Sequence, residues 1–99
     1  MPFAIVVDVP ASWDTYQRVQ ADLGADAPEG LIVHTAGPTD EGFRIVDLWE
    51  TEEAFGRFQQ ERLAPTVAKH TDPGTPRPAF RIVEVKHVLE GLGSLGGAS

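Results

Sequence analysis

The chain contains no cysteine, and that single absence removes disulfide scaffolds, thiolate zinc sites, iron–sulfur clusters and cysteine nucleophiles. Basic residues are also scarce: 8 Lys and Arg stand against 15 Asp and Glu, for a formal charge of −7. Such a chain has no basic footprint for a phosphate backbone or an anionic bilayer surface, so neither nucleic acid nor membrane is an expected partner. Long apolar runs are missing as well. The first one, Phe3–Val9, is too short for a membrane span or a signal peptide and follows no basic stretch, so a cytoplasmic location is expected. There is no phosphate-binding P-loop, nucleophile elbow or Ser-centred triad. Gly91, Gly93 and Gly96 fit a G-x-G-x-x-G spacing, but no helix follows to receive a phosphate.

What is present is 99 residues, 41% of them hydrophobic. They read as one domain over residues 1–89 followed by a flexible Gly/Ser-rich tail, 90–99. A domain of this size buries only roughly 60–70% of its unfolded surface, so association with a second copy is the usual supplement.

Phe3–Val9 is β-branched and apolar at both parities, as in a strand covered on both faces. Ser12 is placed to cap a helix whose Trp13, Tyr16, Val19, Gln20 and Leu23 recur at helical spacing until Gly24. Strands Leu31–Gly37 and Phe43–Glu50 flank Pro38-Thr-Asp-Glu-Gly42, a hairpin signal. Thr51 caps a second helix with Glu52 and Glu53 in its first turn, and Pro65 is expected to kink or interrupt it. Ala79–Leu89 reads as the last strand. The order β-α-β-β-α-β predicts an α+β, ferredoxin-like fold, a four-stranded antiparallel sheet with helices on one face. Strands apolar at both parities then require a cover for the other face, and a homodimer through that open face supplies it.

A hairpin turning at Asp40–Glu41 pairs His34 with Asp47, Ile32 with Trp49 and Ala36 with Ile45. His34, Asp47 and Trp49 then share one face of the sheet.

The segment Gly42-Phe-Arg-Ile-Val-Asp-Leu-Trp-Glu-Thr-Glu-Glu-Ala-Phe55 resembles the dimeric α+β barrel superfamily, which includes the antibiotic-biosynthesis-monooxygenase-like proteins. Trp49, Glu50, Thr51, Ala54 and Phe55 carry the match. Together with Gly30–His34 and Pro65 the pattern is similar to a group of small actinobacterial-type barrel proteins. The resemblance implies a homodimer with one pocket per subunit between the sheet and its helices. Members of the superfamily include cofactor-independent monooxygenases, haem-degrading enzymes, lactone isomerases, polyketide cyclases and proteins without known activity. The monooxygenase branches commonly place an Asn in the pocket, whereas this chain contains no Asn.

A carboxylate beside an imidazole fixes its tautomer and raises its basicity, as a general base near neutral pH requires, while burial opposes charging of the ring. His34 and Asp47 are therefore the candidate catalytic pair, and the same pair would equally serve as a buried hydrogen bond that fixes the hairpin. Trp49 is a candidate aromatic wall or a core residue. Tyr16 could give its hydroxyl to a ligand or cover the core edge, with Trp13 beside it. Phe55, His70 and Glu84 complete the candidate substrate-binding set, His70 reading also as a surface residue. Glu84 and His87 fall on opposite faces of the last strand. No histidine pair has the spacing that places two metal ligands on one helix, so neither metal nor cofactor is expected.

These residues suggest a cofactor-free enzyme using His/Asp acid–base chemistry on an aromatic or polyketide-like small molecule, as an isomerase, cyclase or lyase. The alternatives are a cofactor-independent monooxygenase of the same fold and a non-catalytic ligand-binding or stress-associated barrel.

Overall fold

The computed structural model describes residues 2–72, 74 and 76–91. The elements run β1 (Phe3–Val9), α1 (Trp13–Leu23), β2 (Leu31–Thr39), β3 (Gly42–Trp49), α2 (Glu52–Phe58), a π-helical turn (Gln59–Leu63), α3 (Ala64–His70) and β4 (Ala79–Glu84). The four strands form one antiparallel sheet in the order β2-β3-β1-β4, the ferredoxin-like arrangement. Residues 92–99 of the expected tail, and with them Gly93 and Gly96, lie outside the described residues.

Both caps form as their residue types dictate. The Ser12 hydroxyl accepts from the Thr15 amide at 3.2 Å, and the Thr51 hydroxyl accepts from the Ala54 amide at 3.1 Å. Pro65 is accommodated differently from the expected break. It stands in the first turn of α3, where its missing N–H matters least, and the preceding turn widens to π geometry so that the rod from α2 to α3 continues.

The hairpin turns at Asp40–Glu41, with Thr39 paired to Gly42, His34 to Asp47 and Ala36 to Ile45. The expected pairing of Ile32 with Trp49 does not form. A bulge between Leu31 and Val33 sets Leu31 opposite Trp49 and leaves Ile32 half-exposed. Gly30 begins this irregular stretch at φ 89°, and a Cβ there would run into Ala54 of α2, so only glycine fits. The last strand is also shorter than its β-branched pattern suggests. Glu84 pairs with Phe3 and the Val85 amide donates to the Pro2 carbonyl at 3.0 Å, where β1 runs out and the ladder ends.

The helices lie over one face of the sheet. Ile5 and Val7 from β1, Trp49 from β3, and Ala54 and Phe55 from α2 form the buried cluster, with Val9, Leu31, Ile45 and Phe58 against it. The indole of Trp49 meets Phe55 edge-on at 5.5 Å between centroids. On the opposite face the register aligns Ala4, Val6, Val33, Val46, Leu48 and Val83. Of these, Val33, Val46 and Val83 are each more than 40% exposed, an apolar surface that the helices do not touch. Asp8 and Arg44 form an ion pair at its margin, at 2.6 Å.

Candidate functional site

The site grows from the β2–β3 hairpin. Its register sets His34 across from Asp47 on the helix-facing side, and the ring Nδ1 lies 2.6 Å from Asp47 Oδ1. The second oxygen of the same carboxylate accepts from the indole N–H of Trp49 at 3.2 Å, a contact between residues two apart on one strand face. Helix α1 supplies the remaining partner: the Tyr16 hydroxyl sits 2.6 Å from His34 Nε2. Four side chains from three elements thus form one line, Tyr16–His34–Asp47–Trp49.

For a neutral ring beside an ionised carboxylate, the direction of each bond follows. An ionised carboxylate only accepts, so His34 Nδ1 carries the proton it shares with Asp47, and a neutral ring then accepts from the Tyr16 O–H through Nε2. Burial raises the Tyr16 ionisation above its usual 10.0, with the negative charge of Asp47 adding to the shift, so the phenol stays a neutral donor at physiological pH. Asp47 is buried at 8% exposure, whereas 29% of the His34 side chain remains accessible. Trp13 stacks on Tyr16 at 4.5 Å between centroids, and Phe43 meets the Tyr16 ring edge-on, which holds the phenol toward the histidine.

The other candidates are placed elsewhere. Trp49 is 1% exposed and Phe55 7%, so both are core residues rather than open walls of a pocket. Their volume fills the space between sheet and helices near this end. His70 is on α3 and bonds Asp22 of α1 at 2.7 Å, a second His–Asp pair that ties two helix ends together. Its hydrogen bond holds the Asp22 carboxyl below its usual range. Glu84 faces the helix side of β4 by register and pairs with Lys86 at 3.2 Å. Three strand spacings separate β4 from β2, about 14 Å. Glu84 therefore lies outside the His34 cluster.

The bond between Tyr16 and His34 has no signal in the sequence, because it depends on where α1 sits over the hairpin. The Trp49–Asp47 contact had a visible signal in the i, i+2 spacing on a strand. Two concavities are shallow and open: one follows the flank of α1 from Tyr16 to Ala25, and one lies between the Pro10–Trp13 and Pro38–Gly42 loops. Among the described residues no group of three or more His, Asp or Glu side chains converges as a metal site. Among the same residues no helix is long and apolar enough to cross a membrane.

The architecture matches solved structures. Rv0793 from Mycobacterium tuberculosis superimposes with a TM-score of 0.66 at 13% identity, over 91% of this chain and 100% of that one. The chain has the ferredoxin-like α+β fold. SnoaB, a cofactor-independent oxygenase from Streptomyces nogalater, shares that fold with a TM-score of 0.60 at 17% identity, over 91% of this chain and 96% of its own. A Deinococcus radiodurans protein proposed as an antibiotic biosynthesis monooxygenase gives 0.61 at 13% identity, over 94% of this chain and all of its own. The sequence matches no protein-family model and no curated protein. At these identities the likeness speaks to the fold, the same one to which the Gly42–Phe55 segment points.

Proposed function

We propose that the protein is a cofactor-free proton-transfer enzyme acting on an aromatic or polyketide-like small molecule, with His34 as the base, Asp47 as its orienter and Tyr16 as the hydroxyl through which the proton travels. The observation that carries this reading is that both ring nitrogens of His34 are engaged at 2.6 Å, one by a buried carboxylate and one by a neutral phenol. An acidic substrate proton passes to the Tyr16 oxygen as the Tyr16 proton passes to Nε2. The resulting imidazolium rests against the Asp47 carboxylate, and reversal returns a proton to another position of the substrate. Isomerisation, cyclisation and elimination all need this step and nothing redox-active.

A second reading is favoured by the shared fold with SnoaB, a cofactor-independent oxygenase. Deprotonating an electron-rich phenol through the same relay would prepare it for oxygen, though no Asn is available in this chain to assist. The working unit in either reading is a homodimer in the cytoplasm, closed over the half-exposed Val33, Val46 and Val83 of the open sheet face.

The test is turnover, or solvent-deuterium incorporation, with candidate phenols and polyketides in the presence and absence of oxygen. His34→Ala is expected to lower the rate by roughly two to four orders of magnitude. Unchanged turnover in His34→Ala would place the base elsewhere. Turnover that requires oxygen would select the oxygenase.

A further inference from the structure

The mechanism above uses one oxygen of Asp47 and leaves the role of the other open. It is occupied by the indole N–H of Trp49, the most buried large side chain after none but Ile5. We infer that Trp49 is a positioning residue: it fixes the rotation of the Asp47 carboxylate and draws charge from Oδ1, setting how strongly His34 is held. This deepens the relay reading and rests on it.

A carboxylate bonded only to His34 can turn about its Cβ–Cγ bond and present either oxygen, and the imidazole would follow that motion. A donor on Oδ2 from the same strand face removes that freedom, because Trp49 is itself clamped by Phe55 at 5.5 Å and Phe58 at 5.6 Å. The cluster of apolar residues that stabilises the fold thereby also orients the base. A hydrogen bond to a carboxylate also lowers the charge left for its other acceptor site. The groups that titrate in contact with His34 are Tyr16 from α1 and Asp47 from β3. Burial alone explains why an aromatic stands at position 49. It does not explain why the ring carries a donor aimed at the carboxylate, since phenylalanine would fill the same strand face.

The experiment uses the full chain and proton–nitrogen NMR. In the unaltered protein the Trp49 indole resonance is expected to move with the protonation of His34, whereas the Trp13 indole, which stacks on the face of the Tyr16 ring, moves less. In Trp49→Phe the His34 Nδ1–H resonance is expected to shift downfield as Oδ1 regains charge. If Trp49→Phe does not fold, replacing tryptophan by its benzothiophene analogue in a Trp13→Phe background keeps the shape and removes only the N–H. A Trp49 indole resonance that stays flat through the His34 titration, or an Nδ1–H resonance unmoved by loss of the indole donor, would overturn the inference. Asp47→Asn separates this outcome from failure of the relay itself: if the Nδ1–H resonance is indifferent to Asp47→Asn, the relay is wrong, and if it responds to Asp47→Asn but not to loss of the indole, only the role of Trp49 is wrong.

Discussion

The molecule holds two His–Asp pairs of nearly equal length, 2.6 Å for His34–Asp47 and 2.7 Å for His70–Asp22, and they are built for different ends. The carboxylate of the first is 10% exposed at its side chain, that of the second 49%. Asp47 has a partner on each oxygen, and His34 has a partner on each nitrogen. Among the described residues His70 meets Asp22 alone, close to where Arg62 donates to the Leu23 carbonyl at 2.6 Å, so the second pair belongs to a set of contacts that fasten α1 to the α2–α3 rod. Distance alone does not distinguish a candidate base from a fastener. Burial of the acid and occupation of the far nitrogen do.

If that contrast is right, the largest effect comes from Asp47→Ala. It strands the buried indole donor of Trp49 and the partly exposed Nδ1 donor of His34, and is expected to cost about 2–4 kcal/mol in urea denaturation. A loss near zero would mean that the buried pair is no more integral than the exposed one. Next, Tyr16→Phe removes a donor from Nε2 while keeping the ring, which should cost about 0.5–1.5 kcal/mol in the same assay and leave the tautomer that Asp47 sets at Nδ1 unchanged. A third consequence concerns alkali. Because burial and Asp47 raise the Tyr16 ionisation in the folded state, its neutral form contributes stability below its unfolded value of 10.0. That contribution is lost as the pH rises through the higher folded value, so the parent's urea midpoint should fall more steeply above pH 10.0 than that of Tyr16→Phe.

The smallest effect belongs to His70→Ala. The Asp22 carboxyl is depressed by its bond to His70, so the pair contributes above the unfolded value of 3.8 and loses its contribution as the pH falls through the lower folded one. At neutral pH the variant should show a slight fall in the denaturation midpoint that shrinks further with salt, and no change in the His34 resonances. A change at His34 would show that the two pairs communicate along α1.

The sequence made the contrast only half legible. Residues 38–42 specified a tight hairpin, and from that turn the pairing of His34 with Asp47 follows by arithmetic. The bulge at Ile32 did not announce itself, because it answers to the approach of Gly30 to Ala54 on a distant helix. Likewise Val85 and Val88 read as strand, yet β4 stops at Glu84 for want of a partner in β1. Local propensity cannot register where a neighbouring strand ends. The bond from Tyr16 to His34 joins residues 18 apart and depends on the seat of α1, so the sequence could offer Tyr16 only as a candidate. Pro65 told of an irregularity and left its form, a π turn rather than a break, to packing.

The central claim is that His34 is a neutral base held by Asp47 at Nδ1 and fed by Tyr16 at Nε2. The nitrogen spectrum of the His34 ring near neutral pH tests it most directly. The account predicts a neutral ring protonated at Nδ1 with a bare, hydrogen-bonded Nε2, a pattern lost in Asp47→Asn. A ring protonated at Nε2, or one unaffected by that substitution, would contradict it.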